Sequence, residues 1–244
     1  MRIAAVGDVH FGPDSAGRLR PHLEELAQEA ECLLIAGDLT RTGDAAEAAV
    51  LGAELRRLPY PVVAVLGNHD WHRGQERDIR SVLEQSDVVV LDGEGVTLEL
   101  PSGRLGVAGC KGFGGGFAGA SATEFGEPEM KLFVGRTRRE AARLEEALAG
   151  VRGDARVALL HYSPIAQTLA GERAEIHAFL GSYLLAEAID RAGADLVLHG
   201  HAHNGSTGGV TPGGVEVHNV AMPVIKRAYK VFDVTPAALV ESVS

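Results

Sequence analysis

The chain has 244 residues, 45% of them hydrophobic and 23% charged, which suits one large globular α/β domain and gives no ground for disorder. Its formal net charge of −10 argues against a general nucleic-acid-binding surface, while leaving room for a small nucleotide whose charge is met locally. No apolar run approaches the ~20 residues of a membrane span. The opening Met1-Arg2 followed by a short apolar run lacks the features of a secretory signal, so a cytoplasmic protein is expected.

Arg2 to Val6 reads as a strand and Arg18 to Glu31 as a helix, with Leu19, Leu23, Leu26 and Ala30 on one face. Cys32 to Ala36 is the next strand, Asp44 to Leu58 the next helix, and Pro61 to Leu66 a third strand. This β-α-β-α-β rhythm predicts buried, largely parallel strands. Val88 to Leu91, Val96 to Leu100 and Arg104 to Ala108 are short strands separated by Asp92-Gly93 and Pro101-Ser102-Gly103, and hairpin pairing is expected for all three. A glycine-rich stretch from Gly109 to Gly119 reads as a flexible surface loop. Thr137 to Leu148 is helical, Arg156 to Leu160 a strand, Ser182 to Ala192 a helix and Asp195 to Leu198 a strand. Ser206 to Gly208, Val215 to Val220 and Tyr229 to Val234 complete the chain as hairpin strands. No repeat or linker divides the sequence, so residues 1–244 are expected to form one domain. The two cysteines, Cys32 and Cys110, sit among apolar residues and are expected to be reduced and buried.

Polar clusters interrupt the apolar strands at Asp8-Val9-His10, Gly37-Asp38, Gly67-Asn68-His69-Asp70, His161 and Gly200-His201-Ala202-His203. In an open parallel sheet, ligands bind beyond the carboxyl ends of the strands, so these residues should converge. Two Asp, one Asn and four His, without thiolate, suit Mn, Fe, Zn, Ni or Co better than Ca or Mg. Seven such side chains are too many for one ion and about right for two. Two ions roughly 3.5–4 Å apart can hold a bridging hydroxide for in-line phosphoryl displacement.

The ordered set D-x-H, G-D, G-N-H-D, H and G-H-x-H resembles the calcineurin-like metallophosphoesterase superfamily. The resemblance implies a four-layer α/β/β/α sandwich of two mixed sheets, with a dinuclear metal site at the sheet edge and a small phosphate ester as substrate. It implies that Asp8, His10 and His203 hold one ion, that Asp38 bridges, and that Asn68, His161 and His201 hold the other. It also places His69 against the substrate, as proton donor to the departing alkoxide or stabiliser of its charge, with Asp70 accepting the other ring N–H. The Gly37-Asp38-Leu39-Thr40-Arg41-Thr42-Gly43 block differs from the G-D-x-V-D-R-G of protein serine/threonine phosphatases, and Asp70 stands where they carry Glu. The tyrosine that purple acid phosphatases place after the second aspartate is also missing. The remaining likeness is to small bacterial and archaeal phosphoesterases, a group that includes cyclic-nucleotide phosphodiesterases, and a phosphodiester is the favoured substrate. A phosphomonoesterase, a nuclease and an inactive metal-binding scaffold are the alternatives.

Three further residues are candidates for substrate contact. Arg41 follows the bridging aspartate, and a guanidinium suits phosphate oxygens. Lys111, in the glycine-rich stretch, could meet a substrate phosphate while Phe113 stacks on a base. His177 lies in a segment that could cap the substrate. His199 is expected to pack beneath the site, and His72 to be a solvated loop residue.

Overall fold

A computed structural model of the chain describes residues 1–234. In chain order its elements are β1 (Arg2–Val6), α1 (Arg20–Leu26), β2 (Leu33–Ala36), α2 (Ala45–Leu55), β3 (Val62–Val65), α3 (Glu76–Glu84), β4 (Val88–Leu91), β5 (Glu94–Leu100), β6 (Gly103–Cys110), β7 (Gly116–Phe117), β8 (Ala120–Ser121), α4 (Pro128–Gly150), β9 (Ala155–Leu160), α5 (His177–Leu180), α6 (Tyr183–Ala192), β10 (Leu196–His199), β11 (Gly208–Val210), β12 (Glu216–Asn219), α7 (Met222–Ile225) and β13 (Lys230–Asp233). One sheet has the order β13-β1-β2-β3-β4 and the other β11-β12-β10-β9-β6-β5.

The alternation of side chains along each strand builds the layers. Ile3 and Ala5 of β1 join Leu34, Val63 and Val65 in a core shared with Leu105, Val107, Val157, Leu159 and Leu198 of the facing sheet. Ala4, Val6, Ile35 and Ala64 point the other way, onto Leu23, Leu26, Leu51, Leu55, Ile79 and Leu83 of the first three helices. On the far side, Ala158, Leu160 and Val197 pack on Leu144 and Leu148 of α4 and on Leu185 and Ile189 of α6. The result is the expected α/β/β/α sandwich. Both cysteines are buried free thiols.

Four local expectations are corrected. The helix expected over Arg18 to Glu31 spans only Arg20–Leu26. Its start is fixed by Glu54 of α2, whose carboxylate accepts from the backbone N–H groups of Gly17, Leu19 and Arg20 at 2.6, 3.0 and 2.7 Å. The last two are orphan donors of the helix N-terminus, where a negative charge is also favoured. Val88–Leu91 does not form a hairpin with its successor. It pairs parallel with β3, Val62 opposite Val88 and Val65 opposite Leu91, because α3 supplies the crossover that parallel strands need. The turn at Asp92-Gly93 therefore carries the chain from one sheet to the other, and only β5 and β6 pair as a hairpin. Likewise β13 leaves the β11–β12 hairpin and pairs antiparallel with β1.

The glycine-rich stretch is the fourth correction. Gly109 and Cys110 finish β6, and Lys111, Gly112 and Gly114 to Phe117 are buried. The Gly115 and Gly116 N–H groups donate to the carbonyls of Ala178 and Gly181 at 2.7 and 2.9 Å. A Cβ at Gly115 would lie 2.9 Å from Ser182 Oγ, and its φ of +159° is one that side chains rarely adopt. Glycine here allows close approach of backbones, not mobility.

Candidate metal centre

Every predicted metal ligand, with His69 and Asp70, lies just beyond the carboxyl end of a strand. Asp8 and His10 follow β1, Asp38 follows β2, and Asn68 to Asp70 follow β3, all in one sheet. His161 follows β9, and His201 and His203 follow β10, both in the other. Facing sheets thus deliver two half-sets of polar groups to one seam.

Local strain marks the same residues. Asp8, His10, Asp38 and His201 have φ of 57, 44, 49 and 70°, the left-handed region that non-glycine residues avoid. Strain of this kind persists only where surrounding structure enforces it, and it gathers at functional sites. The preceding glycines let the loops close up. A Cβ at Gly67 would fall 2.0 Å from Asp38 Oδ1, one at Gly37 2.5 Å from His161 Nδ1, and one at Gly200 2.3 Å from Asp8 Oδ2.

The side chains assemble into two groups that share Asp38. One comprises Asp8, His10, Asp38 and His203; the other comprises Asp38, His161 and His201; within each, potential ligand atoms lie within 4.8 Å of one another. Asn68 Oδ1 joins the second group at 2.8 Å from His161 Nε2. His203 Nε2 lies 2.8 Å from Asp8 Oδ1.

The protonation pattern fits a cation. Burial holds the His161 imidazole down at about 4, and it is neutral at pH 7. Its Nδ1 sits 3.0 Å from the Ala36 carbonyl, which can only accept, so the proton is on Nδ1. Nε2 then presents a lone pair to Asn68 Oδ1 at 2.8 Å and to Asp38 Oδ1 at 3.3 Å. Acceptors facing acceptors at that separation repel unless a cation lies between them. His201 repeats the logic: burial lowers it well below its usual value, and Nε2 lies 3.3 Å from the Phe179 carbonyl, leaving Nδ1 as a lone pair. Burial likewise lowers His10 to about 4, and its Nε2 is buried with no hydrogen-bond partner. Desolvation also raises Asp38, whose oxygens serve both groups. His203 departs from this pattern, raised by its hydrogen bond to Asp8, but the neutral imidazoles of His10, His161 and His201 crowded against carboxylates out of water form an arrangement that a cation suits. The described residues fit two divalent ions.

His69 stands at the open side, its side chain 44% exposed. Its backbone N–H donates to Asp38 Oδ1 at 2.9 Å, and its ring packs edge-on against His10 at 4.5 Å. The ring is oriented by the Arg41 carbonyl, 2.8 Å from Nδ1. This corrects the expected role of Asp70, whose carboxylate does not meet that ring. Asp70 is fully buried and accepts from Leu39 N, Thr40 N, Thr40 Oγ1 and Gly67 N at 3.1, 2.8, 2.6 and 2.7 Å. It ties the Asp38 loop to the Asn68 loop.

The Arg41 guanidinium turns outward to Asp14 at 2.6 Å, so the residue reaches the site through its backbone. His177 stays outside the ligand groups, its Nε2 3.3 Å from the Glu172 carbonyl, although the same short helix contributes the Phe179 carbonyl to His201. Lys111 is buried beside Tyr162, whose ring lies 4.4 Å from that of His201. His199 packs beneath the site as expected, with Nε2 2.9 Å from Thr168 Oγ1, and His72 is exposed. Two supports escaped the sequence reading: Asn219, which donates to the Ala202 carbonyl between His201 and His203 at 2.8 Å, and Thr168. An Asn or Thr at a strand end or turn carries no signal of such a role.

No curated protein matches the sequence. Among solved structures, the chain is similar to the phosphopantetheinyl hydrolase of Mycobacterium tuberculosis at 16% identity and a TM-score of 0.63, covering 92% of this chain and 90% of that one. A putative 5′-nucleotidase from Staphylococcus aureus shares 16% identity with a TM-score of 0.56, over 89% of this chain and 48% of that one. GAP50, the anchor in the inner membrane complex of Plasmodium, shares 10% with a TM-score of 0.52, over 91% and 72%. These likenesses establish the fold, which by itself does not fix an activity. No helix among the described residues is long and apolar enough to cross a membrane. The calcineurin-like phosphoesterase profile matches residues 1–205, across all five polar clusters, and the chain belongs to that metal-dependent family of phosphoric ester hydrolases.

Proposed function

We propose that the protein is a phosphodiesterase acting on a small phosphodiester, with two divalent ions held by Asp8, His10 and His203, by Asn68, His161 and His201, and by Asp38 between them. A bound pair of this kind supplies Lewis acidity and activates water at neutral pH. The chain's own residues do the rest. Asp8 and Asp38 hold their positions by accepting backbone N–H groups of His201 and His69, which keeps the loops from drifting apart. His69, with Nδ1 fixed on the Arg41 carbonyl, holds Nε2 3.9 Å from Asp38 Oδ2, beside the ligand groups, where it can protonate a departing alkoxide or stabilise its charge.

The observation that carries the diester reading is the aromatic run leading away from the cluster. Tyr162 packs on His201, Phe113 on Tyr162 at 5.9 Å, Phe133 on Phe113 at 5.1 Å, and Phe179 on Phe133 at 6.4 Å, with Phe179 60% exposed. A diester carries a second organic group, and this run offers it an apolar, ring-lined seat beside the reacting phosphorus. A monoester carries a single organic group, so filling both this seat and the leaving-group side asks for a diester.

The test is hydrolysis of bis-p-nitrophenyl phosphate and p-nitrophenyl phosphate by chelator-stripped protein with Mn²⁺ returned or withheld. Expected are Mn²⁺-dependent cleavage of the diester at higher kcat/KM and a fall in kcat of about 10²–10⁴-fold in His69→Ala. Cleavage of the monoester alone would replace this reading with a phosphomonoesterase. No cleavage of either ester by metal-loaded protein would point to a scaffold on the same fold.

A further inference from the structure

One polar cluster beside the metal centre has no part in the scheme above. Lys111 follows β6, its residue only 5% exposed. Its ammonium donates to the Gly112 carbonyl at 3.3 Å and otherwise faces rings, with Tyr162, Phe113 and Trp71 centred 4.9, 5.0 and 5.6 Å away. Among the described residues, no carboxylate lies within ion-pair distance of it. Arg136 of α4 lies over the same Trp71 ring at 5.3 Å. Its Nη2 pairs with Glu140 at 2.8 Å, while its Nε is buried and has no partner. Trp71 Nε1, also buried, has no partner either. Close by, Arg143 and Asp92 are paired with each other at 3.3 Å.

The arrangement is unbalanced in two ways. Three cations, Lys111, Arg136 and Arg143, face two carboxylates, Glu140 and Asp92, in a partly dehydrated setting. Two N–H donors, on Trp71 and Arg136, and one carboxylate oxygen, Glu140 Oε2, are buried without a partner, though buried polar groups are normally satisfied. A cation on ring faces keeps much of its charge available, since the quadrupole attracts it without neutralising it. One additional anion would offset the charge and accept from the two donors, and a phosphate that keeps one proton could also donate to Glu140 Oε2. The site is also well placed: Trp71 lies two residues past His69, and Tyr162 touches both Lys111 and His201.

We propose that Lys111, Arg136 and Trp71 form a second anion site, which takes a phosphate group borne on the organic part of an aromatic phosphodiester. This deepens the phosphodiesterase reading and rests on it for the position of the scissile group. The substrate class is then nucleotide-like: a diester at the metal centre, an aromatic ring along Phe113, Phe133 and Phe179, and a further phosphate at Lys111 and Arg136.

Two adenosine dinucleotides test it, identical in scissile diester and bases but with or without a 5′-terminal phosphate. With Mn²⁺-loaded protein, kcat/KM should favour the phosphorylated dinucleotide by about tenfold or more, the worth of one or two charge-assisted hydrogen bonds. Arg136→Gln and Lys111→Gln should bring the ratio close to one, and Trp71→Phe, which keeps a ring but removes Nε1, should lower it. Trp71 is the only tryptophan of the chain, so its fluorescence gives a second readout in metal-free protein. The phosphorylated dinucleotide should change it saturably, with affinity about tenfold weaker in Arg136→Gln. Should Lys111→Gln fail to fold, Arg136→Gln, at a side chain 32% exposed, carries the comparison. A purely structural role would lower the melting temperature and leave the ratio untouched. A wild-type ratio near one, a ratio kept in the folded variants, or fluorescence indifferent to the dinucleotide would overturn the proposal. If no diester is cleaved at all, the phosphodiesterase reading fails, and the fluorescence titration still decides the anion site.

Discussion

Replacing Asp70 with Asn separates architecture from chemistry at the metal centre. Oδ2 of Asp70 accepts from Leu39 N and Gly67 N, and Oδ1 from Thr40 N and Thr40 Oγ1. An asparagine with its carbonyl in the Oδ2 position keeps the first two bonds. Its amide can donate to the Thr40 hydroxyl, which rotates to accept. One backbone donor, Thr40 N, is left facing the amide, at a cost of about 1–3 kcal/mol. Against this, the substitution removes a carboxylate whose pKa is pushed up to about 6, first by burial and then by repulsion from Asp38. Set against the ordinary 3.8, that value corresponds to about 3 kcal/mol against the ionised form at pH 7. The two terms nearly cancel, so Asp70→Asn should melt within about 6 °C of wild type. Asp70→Ala strands three backbone donors and should be clearly less stable. Because the native pKa lies above the ordinary value of 3.8, the proton on Asp70 stabilises the fold below pH 4, and that contribution is lost as pH rises through about 6. Metal-free wild type should therefore gain on Asp70→Asn as the pH is lowered from 7 to 4 in thermal melts. If Asp70 serves only to join the two loops, kcat in the Asn variant stays within about tenfold of wild type. A variant with normal melting temperature and metal content but a kcat down by about a hundredfold or more would refute this and give Asp70 a part in proton transfer.

Burial lowers His10, His161 and His199 to about 4, so the native state takes up fewer protons there than the unfolded chain. Their contribution is intact above pH 6.5 and lost as pH falls toward 4, and the denaturation midpoint of metal-free protein should drop across that window. Gly67→Ala would force a methyl to within 2.0 Å of Asp38 Oδ1 and 2.3 Å of its backbone nitrogen, so the variant should fold with reduced metal content by elemental analysis. Retention of two ions per chain would show that the loops yield more than their packing suggests. Mn²⁺ at a hundred times its Kd should stabilise the wild type by about 2.7 kcal/mol in calorimetry, and Asp38→Asn, which breaks both ligand groups, should forfeit most of that gain.

The polar clusters were readable because each interrupts an apolar strand, and strand ends in this architecture converge. That inference needed no knowledge of which strand pairs with which, so it survived the mistaken hairpin at Asp92-Gly93. The hairpin reading overlooks α3, where Ile79, Val82 and Leu83 recur at helical spacing but stand among so many charged residues that the segment passes for a polar loop. Without that helix a parallel partner for Val88–Leu91 could not be foreseen. The partner of the His69 ring was illegible for another reason: it is a backbone carbonyl, that of Arg41, and backbone groups leave no trace in residue identity. The resemblance assigns Asp70 to that role, whereas in the short 3₁₀ turn over His69–Trp71 the two side chains find separate partners, His69 on the Arg41 carbonyl and Asp70 on the backbone of Leu39, Thr40 and Gly67. The buried state of Lys111 was hidden by its glycine neighbours, whose usual meaning in a sequence is mobility.

The division of the ligands between two sheets also sets an order of assembly. Asp8, Asp38 and Asn68 emerge first during synthesis and can form their sheet early, but they offer only carboxylates, an amide and His10. The imidazole of His161 arrives roughly ninety residues after Asn68, and those of His201 and His203 roughly forty residues later still, all on the opposite sheet. Neither half is a competent metal site, so an ion meeting the nascent chain finds no complete cage until the second sheet has docked. A bound pair of ions would act as a late rivet across the seam, adding to the apolar side chains between the layers and to the hydrogen bonds that already cross it, from His201 N–H to Asp8 and between His161 Nδ1 and the Ala36 carbonyl.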